Sequence, residues 1–323
     1  MIKELDFKDK NRINEVNKFL KECSFSEYNQ SIEWNKIRNE ERKFYLYSVD
    51  QNNNIVWVCS LLEKGNKDKY LLAPRGPVLN YYNEKLINLF FDEIKIWLQN
   101  RGYKKLIMNP CISFELLKRF PKNYNISILA KNDYEHLHDS CKLAIMDIEG
   151  DELMMLNKLP SKFRQNTRRS YRKGLTQKIS KNIDFSNFYK LYLETSERHD
   201  FKPHTLDYFK KIFKEFKSNL IFLEVWYENI PLAMSIDIIY KDKLIYLYGV
   251  SSSSNRNLLG MYNLQWEAIK YCINKSIKKY DFGGVFCEED DITNKDYGLY
   301  NFKKGYCYNG FIDIVPDIVI EME

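Results

Sequence analysis

Between residues 83 and 100, Leu86, Phe90, Ile94 and Trp97 recur at helical spacing, and Gly102 follows as a stop signal. The spacing predicts a helix there, and the polar–apolar pattern predicts two shorter amphipathic helices over 10–22 and 31–42. Apolar runs at 43–49 and 55–62, with Asn52, Asn53 and Asn54 as the turn between them, read as strands. The segment KKLIMNP is a further strand that ends at Asn109-Pro110. This alternation of helix and strand argues for a mixed α/β (α+β) domain.

The pattern then begins again. CKLAIMDI reads as a strand, and helices follow at 184–199 and 205–218, the second with Leu206, Phe209, Phe213 and Phe216 along one face. Strands are expected at 220–226, 231–240 and 243–250, then a helix at 261–275 and a strand at KKYDFGG. A last strand, FIDIVPDIVIE, fits either half. Two successive α/β halves imply two domains, the first formed by residues 1–143 plus 308–323 and the second by 144–307.

Composition changes this picture little. At 323 residues, with 44% apolar and 29% charged side chains, the chain has the make-up of a soluble globular protein. No stretch approaches the roughly 18 consecutive apolar residues of a membrane-spanning helix. The first residues, MIKELDFKDKNR, contain no apolar signal core, so a cytoplasmic location is expected. The seven cysteines include no CxxC pair, which points to free thiols rather than disulfides or zinc. His136 and His138 stand two apart without further ligands, so neither metal nor cofactor is expected.

Charge changes it more. The net charge is +6, yet no acidic residue occurs between Glu152 and Asp184, an interval holding nine basic ones. Without those nine the chain has 41 basic residues against 44 acidic, so the excess sits in one place. Pro160 suits a helix start and Gly174 a helix stop. On that helix Arg164, Arg168 and Arg172 form one line, and Lys162, Asn166, Arg169 and Lys173 a second. Like charges at this spacing oppose each other, and a phosphate backbone that pairs with several at once relieves them. Arginine suits that role because its planar fork grips phosphate bidentately. Charge alone thus points to a phosphate-rich partner, recognised by shape and charge, against the alternative of a solvated surface helix.

Several segments spread over the chain carry a resemblance. They are QSIEW (30–34), LLAPRGPVL (71–79), KFRQNTRRSYRKG (162–174), ETSERHDF running on to Tyr208, YLYGVSS (246–252), MYNLQWEAI (261–269), KYDFGG (279–284) and GLYNFKKGY (298–306). In this order and spacing they resemble the Fem (FemABX) aminoacyltransferases. The resemblance implies two GNAT-like domains with a substrate cleft between them. The stretch 205–270 has no room for the helical arm of some members, so the chain resembles the armless FemX-type ones. The implied activity moves an amino acid from aminoacyl-tRNA to the side-chain amine of a peptidoglycan stem peptide, carried on UDP-MurNAc-pentapeptide or on lipid II. Contact with the inner membrane face is compatible with this, and no stable protein partner is implied.

The resemblance also implies site residues. Phe302 and Lys303 match the family's Phe-Lys pair, which makes Lys303 the candidate stabiliser of the oxyanion. A basic residue after the QSxxW motif holds the nucleotide phosphates, and here Lys36 and Arg38 both qualify. A second phosphate-binding Arg of the family lies four residues before a tyrosine matching Tyr208. This chain has His204 there, and Arg198 is the candidate to share the task. Tyr208 and Tyr248 match tyrosines that line the acceptor site. Lys162, Arg164, Arg168, Arg169, Arg172 and Lys173 are the candidates for tRNA. Asn109 stands where related chains often carry Asp, so no general base is assigned. Two other functions compete: a GNAT-type N-acyltransferase using acyl-CoA, and a non-catalytic RNA-binding protein. Against the first, RNLLGMYN (256–263) has the wrong Arg-to-Gly spacing for a pyrophosphate-binding turn, and bulky Met261 and Tyr262.

Overall fold

The computed structural model describes residues 1–38, 42–129 and 140–321, which leaves His136 and His138 outside the described residues. The chain forms two compact units: Met1–Cys141 with Asp313–Glu323, and Lys142–Ile312.

The first unit runs β1 (Ile2–Glu4), α1 (Lys10–Glu22), α2 (Ile32–Ile37), β2 (Lys43–Val49), β3 (Ile55–Lys64), β4 (Tyr70–Ala73), β5 (Val78–Leu79), α3 (Glu84–Gln99), β6 (Lys105–Met108), α4 (Phe114–Leu117) and β7 (Asn125–Ile128). It is completed by β14 (Ile318–Glu321), after the whole second unit. Among the described residues the sheet order is β1-β2-β3-β4-β6-β14-β7, with β5 also on β3. Among the described residues of this sheet, only β4 and β6 pair parallel. The expected single strand over 311–321 is therefore broken. Ile312–Asp313 is a separate two-residue strand, and Ile318–Glu321 inserts between β6 and β7. Helix α3 begins at Asn83, whose side chain accepts from the amides of Lys85 and Leu86. It buries Ile87, Phe90, Phe91, Ile94, Trp97 and Leu98 in the sheet core.

Two of the sequence motifs meet in this unit through one side chain. The Gln30 amide donates to the Pro74 carbonyl (2.6 Å) and accepts from the Ser60 amide (2.7 Å). Gly76 must lack a side chain because a Cβ there would strike that same amide. QSIEW and LLAPRGPVL are thus two halves of one buried hydrogen-bonded turn. Asn109 makes a second stitch: its Oδ1 accepts from the Arg75 amide (2.7 Å) and its Nδ2 donates to Asp317 Oδ1 (2.7 Å), all buried.

The second unit runs β8 (Lys142–Asp147), α5 (Glu152–Lys158), α6 (Ser161–Tyr171), β9 (Leu175–Ser180), α7 (Phe185–Arg198), α8 (Leu206–Phe216), β10 (Leu220–Tyr227), β11 (Ile230–Tyr240), β12 (Lys243–Ser251), α9 (Gly260–Asn274), β13 (Lys279–Gly284) and α10 (Tyr297–Tyr306). Its strands lie in the order β8-β13-β12-β11-β10-β9, with the short strand Ile312–Asp313 on the outer edge of β8. The β12–β13 pair is parallel and spans only Lys243–Ile245 against Lys279–Asp281, after which the strands part. Where a helical arm would start, antiparallel strands β10 to β12 follow α8 directly. Helix α9 covers one sheet face with Leu264, Ala268, Ile269 and Cys272 in the main core.

Candidate active site

In the first unit, Ser31 caps α2 by accepting from the Trp34 amide (3.1 Å). The helix expected over 31–42 ends at Ile37, for a visible reason. The Lys43 ammonium donates to the carbonyls of Asn35 (2.7 Å), Lys36 (3.2 Å) and Arg38 (2.9 Å) and closes the helix end. This fixes the backbone that carries both candidate phosphate ligands. Lys36 is exposed, with its ammonium 5.9 Å from the Phe7 ring centre, whereas Arg38 is half-buried.

In the second unit four candidates gather where α7, α8 and β12 meet. The hydroxyls of Tyr208 and Tyr248 lie 2.9 Å apart, joined by a hydrogen bond. The exposed His204 ring stacks on Tyr208 at 4.1 Å, and its backbone amide donates to the Tyr192 hydroxyl (3.2 Å). Arg198 donates to the Ser251 carbonyl (3.1 Å), the Ser251 hydroxyl (3.0 Å) and the Ser253 hydroxyl (2.7 Å), which ties α7 to the end of β12. Partial burial lowers the Arg198 pKa, as does the nearby Arg256, while Glu194 opposes the shift. Tyr192, Ser251 and Ser253 are members of the cluster that motif reading missed. Their only signal was their place inside or beside the ETSERHDF and YLYGVSS segments.

The basic helix is α6. Its inner face sets Phe163, Thr167 and Ser170 towards α9, with the Asn263 amide donating to the Ser170 hydroxyl (3.0 Å). Arg164 is turned back: its guanidinium donates to the carbonyls of Asn157 (3.1 Å) and Leu159 (3.2 Å) and caps α5. Lys162, Arg168, Arg169 and Arg172 are exposed and Lys173 half-buried, and none of the five forms an ion pair among the described residues.

Lys303 and Lys304 are adjacent in sequence but opposite in environment. Lys304 is exposed and pairs with Glu289, while Lys303 is 7% exposed. The Lys303 ammonium donates to the Gly284 carbonyl (2.6 Å) on the far end of β13, where β12 and β13 have separated. Gly283, at φ +80°, turns the backbone there, and a Cβ on it would stand 3.9 Å from the ammonium. Burial pushes the Lys303 pKa down to about 8, with Asp281 opposing the shift. A buried ammonium aimed along glycine backbone is what a developing oxyanion needs. Phe302 packs on Phe163 of α6 (6.2 Å between rings) and on Tyr262 (5.7 Å), so the Phe-Lys pair and the basic helix share one packing unit.

A family model described as the FemAB family matches residues 12–225 and 224–315. The chain belongs to the FemAB family. It is 22% identical over 346 residues to the UDP-N-acetylmuramoylpentapeptide-lysine N(6)-alanyltransferase of Weissella viridescens, with 98% of each chain covered. Aminoacyltransferase FemA of Staphylococcus epidermidis is 19% identical over 357 residues, covering 83% of this chain and 84% of that one. The crystal structure of FemX superposes with a TM-score of 0.85 at 17% identity, covering 100% of this chain and 97% of FemX. A tandem GNAT protein from the clavulanic acid biosynthesis pathway superposes at 0.56 and 9% identity, covering 99% and 98%. The fold is accordingly two GNAT-like units without an arm.

Within this FemAB-family fold, Gly305 has a specific task. A Cβ at Gly305 would fall inside the Phe163 ring, so the glycine lets α10 lie flat against α6. Gly305→Ala is expected to destabilise the protein by about 1–3 kcal/mol, since neither ring nor helix can yield without strain. Urea denaturation of the variant beside Phe163→Ala/Gly305→Ala checks it, because the double variant removes the clash.

Proposed function

We propose that this protein transfers an aminoacyl group from aminoacyl-tRNA to the lysine side-chain amine of UDP-N-acetylmuramoyl-pentapeptide, in building the interpeptide bridge of peptidoglycan. The observation that carries the reading is the buried Lys303 ammonium at the parting of β12 and β13. The acceptor amine attacks the ester carbonyl carbon, forming the C–N bond and a tetrahedral oxyanion. The Lys303 ammonium stabilises that oxyanion, and Phe302 holds α10 against α6. The bond to the ribose oxygen then breaks, and the ribose hydroxyl leaves with the proton the amine gives up. Asn109 cannot accept that proton, and its amide is occupied at both ends.

We assign the first unit to the precursor, with Lys36 or Arg38 on its phosphates. In the second unit we assign Tyr208, Tyr248, His204 and Arg198 to the acceptor and α6 to the tRNA. On α6 the proposal rests on Lys162, Arg168, Arg169, Arg172 and Lys173, because Arg164 is engaged at α5. Each exposed cation that meets a phosphate releases counterions on binding. Arg168→Ala and Arg172→Ala are each expected to weaken tRNA binding and to reduce the slope of log K against log salt by about one. A fluorescence titration at several salt concentrations checks it, and unchanged slopes would remove α6 from the interface.

The activity itself is tested by incubating the protein with charged tRNA and UDP-linked pentapeptide. The expected product is the precursor plus one aminoacyl unit by mass. A product seen only with lipid-linked precursor would move the acceptor to the membrane. Transfer that depends on acyl-CoA instead would overturn the reading, as would RNA binding without any product.

A further inference from the structure

The KYDFGG segment supplies the carbonyl that holds the Lys303 ammonium, and a β-bulge in β13 brings that carbonyl into place. Asp281 pairs with Ile145 of β8 and Gly284 with Leu143, so Phe282 and Gly283 together stand against Ala144. The Asp281 carboxylate closes the bulge: its Oδ1 accepts from the amide of Gly283 (2.8 Å), the residue at φ +80°. Beyond it the Val285 amide donates to the Lys142 carbonyl of β8 (2.9 Å). That amide and the Gly284 carbonyl belong to one planar peptide group, so anchoring the first sets the direction of the second. An ammonium carries three protons, and the one given to Gly284 decides where the other two point.

Asp281 also brings a charge. Its Oδ2 lies 3.9 Å from the Lys243 ammonium of β12, and both side chains are buried. Burial works against the charged form of Lys303, and Asp281 opposes it, ahead of Cys307 and Asp296 at the two ends of α10. One carboxylate is thus tied both to the turn that holds the ammonium and to the ammonium's charge.

We propose that Asp281 is a positioning residue for Lys303: it shapes the bulge that presents the Gly284 carbonyl and supplies the counter-charge of the buried ammonium. It acts through Lys303, so its effect on aminoacyl transfer rests on the reading of Lys303 as the stabiliser of the oxyanion. An aspartate two residues before a glycine is ordinary turn chemistry, and that role alone would need no charge. Asp281→Asn separates the two roles, because it keeps an oxygen for the Gly283 amide and removes the charge.

The first measurement needs no substrate. In protein carrying isotope-labelled lysine, the Lys303 NMR signal, assigned with Lys303→Met, should titrate near pH 8 in wild type and about one pH unit lower in Asp281→Asn. The second is the pH profile of kcat, whose alkaline limb should move down by the same interval. Asp281→Ala, which loses the turn as well, should in addition lower kcat at every pH by about tenfold, with the acceptor KM changed less than about twofold. Should Asp281→Asn fold poorly, Asp281→Asn/Lys243→Met removes the paired charges together and must show the same downward shift. A Lys303 titration that stays near pH 8 in these variants overturns the proposal. So does a uniform rate loss that leaves the alkaline limb in place, since that reduces Asp281 to a turn residue. If Asp281→Asn lowers the Lys303 titration and yet wild type forms no aminoacyl product, Asp281 keeps its role and the transfer reading alone fails.

Discussion

Lys303→Ala is expected to lower kcat for aminoacyl transfer by about 10²–10³-fold while the KM for the acceptor changes less than about twofold. The reason is that the ammonium is placed for charge that exists only in the transition state, not for the ground-state acceptor. The pH profile adds an independent mark. Because burial brings the Lys303 pKa down to about 8, the charge is present below that pH and is lost as pH rises through it. Activity should therefore fall on the alkaline side near pH 8. Lys303→Arg, whose guanidinium stays charged, should lose that limb whatever its absolute rate. The same burial makes the residue a liability for the fold. The unfolded chain holds the proton up to about 10.5 and the folded chain only up to about 8, so this group makes stability rise with pH across that window. Lys303→Met should consequently melt no lower than wild type at neutral pH. A rate loss that tracked a loss of folded protein would sink the catalytic assignment.

The largest stability effect is expected at Asn109. Asn109→Asp replaces the amide that donates to Asp317 with a second buried acceptor, 2.7 Å away. Two carboxylates cannot both stay charged there, and the substitution should cost about 3–5 kcal/mol at neutral pH. The loss should shrink on acidification, as the pair takes up one proton and regains a donor. Asp317→Asn placed in the same chain should restore most of it. Chemical denaturation of the two single variants and the double at pH 5 and 7.5 measures this. Equal stability of Asn109→Asp and wild type at pH 7.5 would show that the bridge contributes nothing. Within this chain the two residues are complementary: the carboxylate is supplied by residue 317, and residue 109 must donate to it.

That compensation shows what could and could not be read from the residues. Periodicity located α3, α7, α8 and the long strands to within a residue or two, because their apolar faces are continuous. It missed β9 and α10, whose burial is set by neighbours distant in sequence. It also overran α2, because the ion that ends the helix, Lys43, lies beyond it and looks like part of a strand. The Phe302–Lys303 motif lies on α10, and only burial separates Lys303 from Lys304. The basic run was legible as charge, yet Arg164 could not be told from its neighbours until its carbonyl partners were placed. Asn109 was legible only as an anomaly, since its partner is more than 200 positions away.

The place of β14 has a consequence for how the chain is made. Ile318–Glu321 is an interior strand of the first unit's sheet, flanked by β6 and β7. A ribosome delivers it only after the entire second unit. Until then β6 and β7 have no strand between them, and each presents a bare edge of unpaired amides and carbonyls to other nascent chains. In the second unit the corresponding gap lies between β8 and β12, and it is filled earlier, by β13, before the chain returns to the first unit. In the cell, the half that is translated first is the half that finishes last, and its window of exposure is as long as the time needed to synthesise the other.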